Sequence, residues 1–144
     1  MSAWFRRMFG RRGDPRLELG QSLGAFARPT GDISSLFVFF EVANTGEEAA
    51  SVAAVRVSPK GDPGTVLADA PDGSLEGKLH LPNTLAPGEA ARFRVLAKTL
   101  AGRARDAGHG GRPRLEVIVE EADGTVHRKR FRFRVDEYLR LKDE

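Results

Sequence analysis

Three kinds of residue pattern in this chain are able to do chemistry or recognition. Gly20-Gln21-Ser22-Leu23-Gly24 matches G-x-S-x-G, the pattern that sets a nucleophilic serine on a strained turn between a strand and a helix. A small hydrolase would need that turn and an acid and a histidine beside it. The residues that follow, Ala25-Phe26-Ala27-Arg28-Pro29, do not open a helix, so a small-residue strand or bulge is the expectation here. His80, His109 and His127 are the only histidines, and no two stand four residues apart. Asp69, Asp72 and Gly73 lack the dense alternating oxygen ligands of a calcium loop and read as an Asx-type turn. There is no cysteine, hence no disulfide and no thiolate ligand. These patterns point to no catalytic residue, no metal and no cofactor, and the hydrolase stays a second alternative.

Recognition is better represented. The chain opens MSAWFRRMFGRR. At 100° per residue on a helix, Trp4, Phe5, Met8 and Phe9 cluster on one side, Arg6 and Arg7 fall on the other, and Arg11 extends the basic side with Arg12 beside it. So short a helix does not hold alone in water. It needs a surface: a protein partner, an anionic membrane that takes aromatics at the headgroup level and arginines on its charge, or its own domain. Arg6-Arg7-Met8-Phe9 is similar to a twin-arginine export motif, but export also requires an apolar run of ~7–15 residues. Gly10-Arg11-Arg12-Gly13-Asp14-Pro15 follows instead, so no export is expected. A second group, Arg103, Arg105, Arg112 and Arg114 with Arg128 and Arg130, is a candidate basic patch. It makes a nucleic-acid binder the first alternative, although single strands also want exposed aromatics for stacking, and Phe131 and Phe133 are expected to face inward. Phe37 and Phe39 form a third group: with Leu36, Val38, Phe40 and Val42 facing a core, these two rings point outward as a candidate interface.

Charge separates the segments. Residues 1–16 hold five arginines against one aspartate, a net of +4, which leaves the other 128 residues at −1 of the total +3. A nearly neutral body argues against a nucleic-acid surface spread over the whole domain. The chain of 144 residues is one domain with tails, and no stretch approaches the ~18 apolar residues of a membrane span. The absence of cysteine suits a reducing compartment. Together these features predict a cytoplasmic chain, peripheral at the inner face of the membrane if the opening segment docks there. Abundant Arg, Ala and Gly beside few Lys read as a bacterial chain from a GC-rich genome.

The elements that must position these residues are strands. Period-two patterning runs from Arg16 onward: Leu17 and Leu19, then Ser35 to Val42, Val52 to Val57, weaker runs at Thr65–Leu67 and Lys78–Leu81, Arg92 to Leu96, and two final strands through Leu115, Val117, Val119 and Phe131, Phe133, Val135. Thr99 to Arg114 reads as a long loop with one helical turn. Between the last two strands a two-residue Asp123-Gly124 loop would set Val117 and Val119 opposite arginines. An odd loop keeps apolar opposite apolar, because a one-residue slip flips every side chain. A three-residue loop with Gly124 left-handed is therefore expected, with Glu116 and Glu120 facing arginines outside and Ile118 on the solvent side. About seven or eight short strands between turns predict an all-β, antiparallel sandwich over residues 16–136, after a basic amphipathic segment 1–15 (a short helix or tail) and before a charged tail 137–144.

Phe40-Glu41-Val42-Ala43-Asn44-Thr45-Gly46, then Ala50 to Val57, then Leu85-Ala86-Pro87-Gly88-Glu89 before Phe93-Arg94-Val95, resembles prokaryotic immunoglobulin-like domains of the cell-adhesion-related type. The resemblance covers roughly residues 16 to 136. It implies an immunoglobulin-like sandwich serving as a binding or spacer module without catalysis. The expected function is thus a binding or adaptor module whose residues Trp4, Phe5, Arg6, Arg7, Met8, Phe9, Arg11 and Arg12 dock on a protein partner or an anionic membrane. Trp4 is the only tryptophan, so its fluorescence reports that segment alone. It should be solvent-exposed in isolated protein and shift to the blue with anionic vesicles, and salt should weaken the shift, since the screening length at physiological ionic strength is only about 8 Å. A Trp4 already buried and quencher-protected in the monomer would make the segment structural.

Overall fold

A computed structural model describes residues 17–25, 29–31, 35–70, 75–77 and 81–141. Its framework follows from alternation. In β2 (Phe37–Asn44) Val38, Phe40 and Val42 are buried while Phe37, Phe39, Glu41 and Ala43 stand half-covered on the other side, as the pleat requires. β1 (Leu17–Gly24) and β6 (Ala90–Leu96) flank β2 antiparallel and complete a three-stranded sheet. The second sheet has the order β4 (Ala68–Asp69), β3 (Ala50–Pro59), β7 (Arg114–Glu121), β8 (Val126–Arg132), with β5 (Asn83–Leu85) also paired to β3. The inner faces share one core: Phe40, Val42, Phe93 and Val95 from the first sheet, and Val55, Val57, Leu115, Val117, Val119 and Phe131 from the second. The Phe40 and Phe131 rings meet across it at 5.6 Å. Full burial of such side chains contributes about 1.5–3 kcal/mol each.

The β7–β8 hairpin has the odd loop expected from its alternation. Glu121 N–H donates to the Thr125 carbonyl at 2.8 Å and Gly124 N–H to the Glu121 carbonyl at 2.9 Å, leaving Ala122, Asp123 and Gly124 as the loop, with Gly124 at φ 94°. Leu115 then faces Phe131 and Glu116 faces Arg130, but Val117 and Val119 face Lys129 and His127, so apolar meets apolar only at the first of these inward pairs. Two further expectations fail nearby. Glu120 faces Val126 and bonds Arg56 of β3 instead, at 2.7 Å. Ile118 is 1% exposed and not on the solvent side. Its strand lies between β3 and β8, so Arg56 and Arg128 stand directly opposite it on both sides. Their aliphatic stems shield apolar surface while the charged heads stay wet.

Other differences have local causes. Ala97–Asp106 is a helix, α1, of 10 residues where a loop was expected. Leu100, Ala101 and Ala104 make one buried stripe with Ala97, and alanine is the strongest helix former. The helix ends at Gly108, at φ 91°, a left-handed position that closes helices. A further short helix, α2 (Val135–Leu139), packs beside α1. The fold therefore continues through the segment read as a tail from residue 137: Tyr138 is buried, its ring 4.9 Å from that of Phe133, and Leu139 and Leu141 pack on the core. Burial raises the pKa of the Tyr138 hydroxyl, with Arg134 opposing and Glu137 adding. Ahead of β4, Asp62 and Thr65 form a hydrogen-bonded turn, which moves the strand expected at Thr65–Leu67 on to Ala68–Asp69. The other weak run, Lys78–Leu81, lies outside the described residues except for Leu81.

At the end opposite the helices, the two turns that carry the family resemblance are tied by one side chain. Asn44 is 1% exposed. Its Nδ2 donates to the carbonyls of Glu48 and Leu85, each at 2.8 Å, and its Oδ1 accepts from Gly46 N–H at 2.9 Å. Its own backbone pairs with Glu89 and Gly88. Because Leu85 belongs to β5 of the second sheet and Asn44 to β2 of the first, this clasp joins the sheets.

Asn44→Ala should lower stability in urea unfolding by about 2–4 kcal/mol, since it strands buried carbonyls. Asn44→Asp should cost more, because it turns an acceptor on both of them; a loss under about 0.5 kcal/mol for either would dismiss the clasp. Val117→Asp should cost about 3 kcal/mol or more, because it buries an unpaired charge. Ile118→Ala should cost about 2–5 kcal/mol, because that side chain is fully covered, and a loss under about 0.5 kcal/mol would put it back in solvent.

Candidate functional site

The register of the three-stranded sheet sorts its outer face into rows. Across β1, β2 and β6 these read Gly24–Phe37–Leu96, Ser22–Phe39–Arg94, Gly20–Glu41–Arg92 and Glu18–Ala43–Ala90. The β1 side is nearly bare, the middle aromatic and the β6 side basic. The missing side chains leave an open groove of about 590 Å³ lined by Gly20, Ser22, Gly24, Phe39, Glu41 and Arg92. A Cβ at Gly24 would lie 3.2 Å from Cε2 of Phe39, so glycine there gives the ring its room. Phe37 and Phe39 point outward as expected, half-buried, with centroids 6.0 Å apart. The Arg94 guanidinium lies 4.5 Å over the Phe37 ring, an attraction of about 0.5–1 kcal/mol at an exposed site, and also meets Glu76 at 3.3 Å. Arg92 pairs with Glu41 at 3.0 Å.

The groove borders a sheet edge. β1 is an outer strand, and among the described residues no strand pairs its second side. Proteins usually blunt such edges with charges, proline or bulges. β1 carries one charge in eight residues, Glu18, and Leu23 is 44% exposed. Ser22 sits mid-strand opposite Phe39, so the G-x-S-x-G run is extended strand and not the strained turn that a nucleophile requires.

The candidate basic residues do not form one cluster by sequence proximity. Arg103 and Arg105 ride on α1, where Arg103 bonds the Leu67 carbonyl at 3.2 Å and Arg105 meets Asp106 at 3.3 Å. Arg112 is exposed in the loop that follows. Arg114, Arg128 and Arg130 stand on the outer face of the five-stranded sheet, with Arg128 4.0 Å from the buried Glu116. His127 Nε2 lies 2.6 Å from Glu121 Oε2 with both side chains nearly enclosed. Sequence reasoning missed this pair. The available signal was that Glu121 continues the inward alternation of Leu115, Val117 and Val119. Among the described residues, no three His, Asp or Glu side chains gather to hold a metal. Trp4, Phe5, Arg6, Arg7, Met8, Phe9, Arg11 and Arg12 lie outside the described residues, as do His80, Asp72 and Gly73.

No family model matches the chain, and no curated protein does. Among solved structures it is similar to a FixG-related protein from Vibrio parahaemolyticus, with TM-score 0.43 and 12% identity over 84% of this chain and 97% of that one. It is also similar to the Northeast Structural Genomics Consortium target SoR45 (0.41, 11%, 90% and 94%) and to a protein from Archaeoglobus fulgidus (0.31, 16%, 81% and 97%). Likeness at this level assigns neither family nor activity.

Proposed function

We propose that this chain is a non-catalytic binding module of immunoglobulin-like sandwich architecture, which receives an extended segment of a protein partner along β1 and the groove beside it. The observation that carries this reading is the juxtaposition of a strand whose second edge has no ladder partner among the described residues, and whose outer face holds only Gly20, Ser22 and Gly24 beyond Glu18, with the outward Phe39 and Phe37. An added strand gains affinity from main-chain hydrogen bonds and specificity from pockets for alternate side chains. Here Gly20 and Gly24 leave space for large apolar groups over Phe39, and Arg92 and Glu41 rim that space.

The basic amphipathic segment at residues 1–15 supplies a second contact, to the partner or to an anionic membrane surface. No helix among the described residues is long and apolar enough to cross a membrane.

Selection of a random extended-peptide library against the full chain should return binders that slow hydrogen exchange at the outward amides of β1. Gly24→Ser and Phe39→Leu, both at the groove, should weaken those binders about tenfold or more, with each variant's Tm measured alongside to separate a lost groove from a lost fold. Binders that protect another face, or that ignore both substitutions, would refute the assignment.

A further inference from the structure

The other sheet carries an arrangement that structure alone does not need. Lys60 N–H bonds the Arg114 carbonyl at 2.9 Å, and Arg114 faces Arg132. Three cations therefore stand abreast on β3's end, β7 and β8, in one cross-strand row. Arg130 joins them from the next row of β8 on the same face, opposite the buried Glu116, with which it makes no ion pair. Neighbouring strands are ≈ 4.7–4.9 Å apart, and like charges directly opposite destabilise a sheet. Elsewhere on this face the charges are matched: Arg56 has Glu120, and Arg128 has Glu116. Among the described residues, the side chains of Lys60, Arg114, Arg130 and Arg132 have no ion pair or hydrogen bond.

Arg114, Arg130 and Arg132 line an open hollow of about 270 Å³ beside the β8 main chain at Phe131, whose ring points the other way, into the core. Guanidinium forks match the oxygens of a phosphate group in bidentate fashion, and a lysine adds a point charge. A singly charged carboxylate would offset only one of four cations, whereas a phosphate dianion or a diphosphate offsets more.

We propose that this corner is a binding site for the phosphate group of a small phosphorylated molecule, with Arg114, Arg130 and Arg132 as its forks and Lys60 at its rim. The site stands on a different sheet from the groove and does not depend on how the groove is used.

The test is calorimetric titration of the full chain with inorganic pyrophosphate at fixed ionic strength, followed by phosphorus NMR. Saturable one-to-one binding is expected, weakened at least tenfold by Arg114→Gln or Arg132→Gln and unchanged by Arg105→Gln. Thermal unfolding in low salt supplies the second readout: Arg114→Gln and Arg132→Gln should hold or raise the Tm of the free protein, since they relieve repulsion. No saturable binding at millimolar pyrophosphate would overturn the proposal. So would binding that ignores both substitutions, or a fall in Tm with binding intact, which would make the row structural. Retention on oligothymidylate or anionic vesicles without competition from pyrophosphate would also overturn it, by giving the face to a polyanion.

Discussion

Two sheets with one shared core need something to hold their ends in register, and Asn44 does this at one end. A buried amide that satisfies two carbonyls and one N–H has no slack, so the turn after β2 and the turn before β6 take up one relative position. At the other end α1 and α2 close the core through Leu100, Ala104 and Tyr138. Between these fixed ends, the facing of every strand follows from the apolar residues it must bury.

That constraint also dictates the outside. Once Val38, Phe40 and Val42 are committed inward, Phe37, Phe39 and Glu41 have no choice but to face out. With Leu17 and Leu19 turned toward the core, Gly20, Ser22 and Gly24 become the outer surface of β1. The groove is the complement of the core pattern, shaped where small residues meet large ones in register. The cationic row arises in the same way on the other sheet: Leu115 and Phe131 go in, so Arg114, Arg130 and Arg132 come out.

Sequence patterning carried the longer strands and the odd hairpin loop, because both rest on parity and parity is visible along the chain, but not β5 or the end of β8, which stops at Arg132 where a strand to Val135 was expected. It carried the outward direction of Phe37 and Phe39 for the same reason. It did not reveal α1, whose Gly102 and basic residues look like loop; the helix exists because its alanine stripe has α2 to pack against, a contact between residues over thirty positions apart in places. Ile118 shows a second limit. Alternation says which face a side chain takes but not what covers that face, and here the cover comes from arginines on two other strands. The bare edge of β1 and the row of Lys60, Arg114 and Arg132 depend on strand order and register, which no local pattern contains.

The composition of β1 has an effect on motion. Its first half is anchored by Leu17 and Leu19, both packed on the core, whereas its second half is held mainly by the backbone ladder to β2, with glycines at 20 and 24 and an exposed Leu23. Segments with few buried apolar contacts open at lower free energy than the rest of a domain. The Gly20–Gly24 half is thus the part of β1 that opens more readily, while Leu17 stays seated. An incoming strand would meet an edge that gives way in one direction only.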